Sequence, residues 1–204
     1  MKLGHDGRKS WTRGFFIAFF VSASFSGSAV HAQQTAPPQA GKIPEVELAP
    51  RGERMVKAIT YTAWEKNCFR SVNTRLVCRT AAIGTWDTGQ IAVRIDLIER
   101  EGEPQKRLQL LLPAGLYLQP GAKVTVDKVA SVRLPFTWCF SNTCVAAAVI
   151  DPSFVGQLDS GKEVSIEVVD SHVRTATTTL SLDRFATAHR GSPLRVYDQA
   201  LEAK

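Results

Sequence analysis

Histidine, cysteine and recognisable catalytic signatures are scarce in this chain of 204 residues, and each scarcity excludes a class of chemistry. The four cysteines include no Cys-x-x-Cys pair, so neither a thioredoxin-type redox couple nor a ribbon-type zinc site is written into the chain. Only His172 and His189 lie beyond the N-terminal segment, too few to complete a Cys/His metal set. No Gly-x-Ser-x-Gly elbow occurs, and no ligand spacing of the EF-hand type appears. Internal repeats are absent. Beyond the N-terminus no run approaches the ~18 uninterrupted apolar residues of a membrane-spanning helix.

The N-terminus itself has one acid, Asp6, against Lys2, Arg8, Lys9 and Arg13. An apolar stretch beginning Phe15-Phe16-Ile17-Ala18-Phe19-Phe20-Val21 follows, then Val30-His31-Ala32 with small residues suited to cleavage. This is the layout of a secretory signal covering residues 1–32. The alternative is an uncleaved segment, which would give the protein its only membrane contact. Without residues 1–32, Lys plus Arg falls from 25 to 21 and Asp plus Glu from 19 to 18, so the net charge drops from +6 to +3. That balance argues against a nucleic-acid partner, which needs a dense basic face.

All four cysteines, Cys68, Cys78, Cys139 and Cys144, lie in the remaining chain. An even count in an exported protein favours disulfides, although four cysteines permit three pairings. Local geometry favours neighbours. Cys139 and Cys144 stand opposite each other if Ser141-Asn142 is a two-residue hairpin turn, and Cys68 and Cys78 are symmetric about Asn73. Each short closure would stabilise by roughly 2–3 kcal/mol in the chain-entropy model. The long-range pairings stay open.

Residues 33–52, with Pro37-Pro38 and Pro50, read as a flexible leader, and residues 191–204 as a polar tail that could end in a frayed helix. Between them the hydrophobic period is two. Ile91, Val93, Ile95 and Leu97 alternate with smaller or polar residues, as do Val124 and Val126, Val164, Ile166 and Val168, and Leu180 and Leu182. Gly- and Pro-containing turns separate these runs. The pattern predicts an antiparallel β-sandwich of roughly eight to ten strands over residues 53–190. One short helix is expected after Asp151-Pro152, with Phe154, Val155 and Leu158 on one face and Gly161 at its end. Val145 to Ile150 is alanine-rich, but the preceding hairpin makes it a strand.

Trp64-Glu65-Lys66-Asn67-Cys68, Leu112-Pro113-Ala114-Gly115-Leu116-Tyr117-Leu118-Gln119-Pro120-Gly121, Pro135-Phe136-Thr137-Trp138-Cys139, Cys144-Val145-Ala146 and Leu158-Asp159-Ser160-Gly161 occur in that order. With both cysteine pairs, this order resembles the invasion-associated locus B family of exported bacterial proteins. The resemblance covers about Trp64 to Phe185. It implies an immunoglobulin-like β-sandwich, export to the periplasm or cell surface, and association with host-cell invasion in pathogenic members. It brings no catalytic residues. Two departures stand out: Arg184-Phe185 where Gly-Phe is expected, and Asp127-Lys128 where Asp-Gly is expected.

No catalytic residue, metal or cofactor is therefore expected. Asp170-Ser171-His172 could suggest a hydrolase centre on His172, but sequence neighbours on a loop point different ways, so a solvated turn is the reading. Glu99, Glu101 and Glu103 are read as an exposed charged turn. For binding, Arg70, Arg75 and Arg79 near Phe69 form a candidate patch for an anionic cell-surface component or an acidic protein. Trp86 is either a plug for the sandwich end or a contact residue, with the plug preferred. Trp64 and Trp138, beside cysteines, are expected in the core. The expected function is non-catalytic binding that supports host-cell interaction. An envelope-maintenance or chaperone-like module with a bacterial protein partner is the alternative.

Overall fold

The computed structural model describes residues 49–71 and 75–199; the expected signal, most of the expected leader and the loop around Asn73 lie outside the described residues. In chain order the strands are β1 (Glu53–Arg54), β2 (Thr60–Tyr61), β3 (Glu65–Ser71), β4 (Val77–Thr85), β5 (Ile91–Arg100), β6 (Lys106–Pro113), β7 (Ala122–Val126), β8 (Ala130–Leu134), β9 (Phe136–Cys139) and β10 (Thr143–Ile150). Helix α1 (Pro152–Ser160) precedes β11 (Glu163–Val169) and β12 (Thr175–Ser181). Helix α2 (Phe185–Arg190) and β13 (Arg195–Gln199) complete the set.

Two sheets form a sandwich. The small sheet runs β1-β12-β11-β7-β8, and the large one β13-β3-β4-β5-β6-β10-β9, with β2 also on β4. Alternation decides which side chains meet between them. Val93, Ile95 and Leu97 of β5 and Leu108, Leu110 and Leu112 of β6 face inward, against Val124, Val164, Ile166 and Leu180 of the small sheet. Burial of each such side chain stabilises by about 1.5–3 kcal/mol. Val145 to Ile150 is strand, as expected, because β6 pairs with β10 along its full length.

Four features depart from the sequence reading. Arg195–Gln199, expected as part of the polar tail, instead forms β13 in parallel with β3, Val196 opposite Cys68, so the sandwich extends past residue 190; residues 200–204 of the expected frayed helix lie outside the described residues. At the other sheet's edge β1 adds in parallel to β12. A second helix, α2, packs its Phe185 edge-on against Trp64 with ring centroids 4.8 Å apart. Helix α1 opens at Pro152 and ends where the Gly161 N–H donates to the Gln157 carbonyl at 2.7 Å, but Asp151 makes no side-chain cap bond.

Both places where the chain departs from the family pattern carry left-handed backbone. Asp127 and Lys128 have φ of 47° and 61° in the tight β7–β8 turn, where the Val129 N–H donates to the Val126 carbonyl. Arg184 has φ of 63° at the start of α2, and Val173 has φ of 60° in the β11–β12 turn. Glycine occupies this region without cost, whereas a residue with a Cβ, above all a branched one, is strained there. Asp127 offsets its own strain. Its carboxylate accepts the N–H groups of Glu163 and Lys162 at 3.0 Å, which hold it below the ordinary carboxylate range and tie the turn to the end of α1.

Candidate functional site

The sandwich is open at one end. There β5, β6, β11 and β12 splay around a cleft of about 560 Å³, within the range of small-molecule sites. Its walls are the inward faces of both sheets, Val93 and Leu112 on one side, Ile166 and Val168 on the other. Small side chains at Ala92, Ala114 and Ala176 leave the room. Gly84 lets the chain before β3 cross β4 closely: a Cβ there would stand 2.6 Å from both Ile59 and Tyr61. The Tyr61 hydroxyl, 2.7 Å from the Thr178 hydroxyl, then bridges the two sheets.

Trp86, half-buried beside the β4–β5 turn, lines this cleft. The Asp170-Ser171-His172 segment forms part of the rim. Asp170 is buried, but its carboxylate accepts the backbone N–H of Arg174 (3.0 Å) and of His172 (2.9 Å), and pairs with the Arg174 guanidinium at 3.2 Å. These donors hold Asp170 below its usual range. The carboxylate therefore fixes the turn and does not orient the exposed His172 imidazole. The arrangement is no relay. Strained Val173 donates its N–H to the Asp170 carbonyl within the same turn.

A second polar constellation, missed in the sequence, lies at the opposite end. His189, expected at the boundary of the tail, is only 5% exposed between α2, α1 and the large sheet. Its Nδ1 is 2.7 Å from Asp159 Oδ1, and its Nε2 is 3.2 Å from Glu99 Oε1 and 2.9 Å from Lys106 Nζ. The Lys106 ammonium lies 2.7 Å from Glu99, and Lys66 Nζ donates to the His189 carbonyl at 2.8 Å. Arg190 completes the group by donating to Asp159. Hydrogen bonding to Glu99 raises the His189 pKa against the opposing effect of burial. Burial pushes Glu99 up, but bonds from His189 and Lys106 prevail and bring it down to about 2. Glu99 is thus not part of the exposed turn of Glu101 and Glu103. Strand alternation could have placed Glu99 on the inner face with Leu97.

The arginine patch is divided. Cys68 pairs with Cys78 across β3 and β4, so Arg79, opposite Asn67, points to the outer face, while Arg70 shares the Cys68 face. Arg79 lies 3.9 Å from Asp96 and stacks over Phe69, which itself stacks on Tyr197. Arg75 is exposed, 3.8 Å from Glu103. Asp96 is fully buried on that outer face; burial raises its pKa against the Arg94 guanidinium 2.8 Å away.

Disulfides join Cys68 to Cys78 and Cys139 to Cys144, each with Cα atoms 4.0 Å apart. The Phe140 N–H donates to the Thr143 carbonyl at 2.7 Å, which confirms the two-residue turn. Trp138, expected in the core, is instead 69% exposed. The register that opposes Cys139 to Cys144 sets Trp138 opposite Val145, one pleat further and so on the outer face. Phe140 is 62% exposed at the same hairpin. The hairpin adjoins the cleft: the Ala114 N–H donates to the Asn142 carbonyl at 3.2 Å.

Set beside known proteins, residues 64–193 match the sequence model for the invasion associated locus B protein family. An invasion protein B homolog of Brucella abortus (strain 2308) is 28% identical over 107 residues, 52% of this chain and 61% of the relative. The match thus spans about three fifths of the Brucella protein. Invasion protein B of Bartonella bacilliformis is 27% identical over 152 residues, 74% of this chain and 79% of the relative. The crystal structure of invasion associated protein B from Bartonella henselae superposes with a TM-score of 0.56 at 19% identity, covering 65% of this chain and 92% of that one. At that identity the likeness is one of fold.

Proposed function

This chain belongs to the invasion associated locus B family, and from that premise we propose that it is an exported, non-catalytic binding protein whose contact with a macromolecular partner supports host-cell interaction. The observation that carries the reading is the Cys139–Cys144 hairpin. It holds Trp138 and Phe140 in solvent on a covalently closed turn. A rigid exposed tryptophan loses little conformational freedom on binding and supplies a large apolar contact, which is why such residues anchor interfaces. The basic N-terminal run and apolar stretch of residues 1–32 support export. The names of the Brucella and Bartonella relatives support a role in invasion.

Two experiments test this. Protease added to intact cells should digest the native protein; protection until the outer membrane is opened would instead favour an envelope role with a bacterial partner. Replacing Trp138 and Phe140 by Ala together should weaken attachment to host cells several-fold while leaving the unfolding midpoint in place. Attachment unchanged by that pair would remove the hairpin from the function.

A further inference from the structure

The open cleft has a chemistry that partner contact through the hairpin does not use. Its two walls are continuous with the hydrophobic core, so its inner part is lined by Val93, Leu112, Ile166 and Val168 from facing sheets. A slot between two sheets admits something narrow and flat-sided, and apolar walls of this kind reward an occupant without polar atoms along its length. The mouth is different. Arg54, Lys57 and Arg174 stand around it, with Asp87 and Asp170 as the acids there. Arg54 and Arg174 both reach the Asp170 carboxylate, at 3.7 and 3.2 Å, and neutralise it. Lys57 is exposed and has no ion-pair partner among the described residues. Beside the mouth stands the exposed Phe140 hairpin, joined to the cleft through Ala114.

We propose that this cleft binds a single-chain anionic amphipath, an acyl chain with a carboxylate or similar head group. The chain lies between the sheets and the head at Lys57. The apolar walls and the cationic mouth each match one half of such a ligand. The site is independent of the attachment role, since an acyl ligand can be bound whether or not the Trp138 hairpin meets a host surface.

Trp86 gives the assay its readout, because it borders the cleft. Purified full-length protein is titrated with dibromostearate below its micelle concentration, and tryptophan fluorescence is followed. Saturable quenching is expected, retained in Trp138→Phe and lost in Trp86→Phe. Ala176→Phe, which fills the slot, should weaken binding at least tenfold. Ala114→Phe at the exposed mouth serves the same purpose if Ala176→Phe does not fold. Lys57→Glu should weaken binding of the acid several-fold and leave that of the corresponding brominated alcohol unchanged. No saturable quenching, or quenching undiminished by both filled variants, would overturn the proposal. So would quenching seen only with brominated phosphatidylglycerol vesicles, which would mean surface adsorption. Equal affinity for acid and alcohol would overturn the assignment of the head group.

Discussion

The two ends of the sandwich are finished in opposite ways. At one end α1 and α2 close the gap between the sheets with Phe154, Leu158 and Phe185, and a charged cluster centred on His189 fastens both helices to β3, β5 and β6. At the other end the same inter-sheet space is lined by Ala92 and Ala176 and left open, with a strained turn and the exposed Lys57 at its rim. Side-chain volume accounts for the difference: a sandwich closes where large residues reach across and stays open where small ones do not. Large apolar side chains fill the space between the sheets at one end, and unfilled space remains at the other.

That contrast is breakable by mutation. Phe185→Ala should cost the most, about 3–5 kcal/mol in denaturant unfolding, because it removes a fully buried ring packed on Trp64 and leaves a cavity. Enlargement of Ala176 to Phe at the open end should change stability by less than about 1 kcal/mol, since the new ring enters existing space. A large loss there would mean the cleft is not free volume.

His189→Gln should cost roughly 2–3 kcal/mol by leaving Asp159 and Glu99 short of a charged partner. The pH dependence of the wild type has two arms. Glu99 falls from an ordinary 4.5 to about 2 on folding, so its contribution is complete above pH 4.5 and is lost as pH falls toward 2. His189 is raised above 6.5, so its contribution is complete below 6.5 and is lost as pH rises through the folded value. Unfolding midpoints measured across pH should show both declines, and His189→Gln should abolish the alkaline one. A persisting alkaline decline would assign it to another group.

The smallest effects concern left-handed backbone. Val173→Gly should stabilise by up to about 1 kcal/mol, and Lys128→Gly and Arg184→Gly by less, because only valine is branched at Cβ. Calorimetry orders the three. If Val173→Gly were the least stabilising, strain at the cleft rim would be discounted.

What the sequence discloses follows from how local each feature is. The cores of β5, β7, β10 and β11, the helix α1 and both cysteine pairs rest on alternation, a Pro–Gly bracket and short hairpins, all visible within about ten residues. The two glycine replacements at Lys128 and Arg184 were visible too, and each fell on a positive φ. What stayed hidden depends on distant pairing. The strand β13 exists because β3, more than a hundred residues earlier, offers an edge. His189 is a buried ligand of carboxylates only because topology brings α2 against Glu99, 90 residues away in sequence. Trp138 misled because proximity to cysteine says nothing about which face a strand residue takes; the register decides it. The cleft is a deficit of volume spread over four strands, and no short motif encodes a deficit.

Both disulfides lie in the large sheet, and each joins thiols that are consecutive along the chain, 10 and 5 residues apart. If, as proposed, the chain is exported N-terminus first into an oxidising compartment, Cys68 meets Cys78 before Cys139 arrives as a competitor, and the second pair closes as soon as its hairpin turns. Order of emergence would then favour the native connectivity among the three possible pairings. Refolding of the full-length reduced chain, where all four thiols are present at once, loses that advantage.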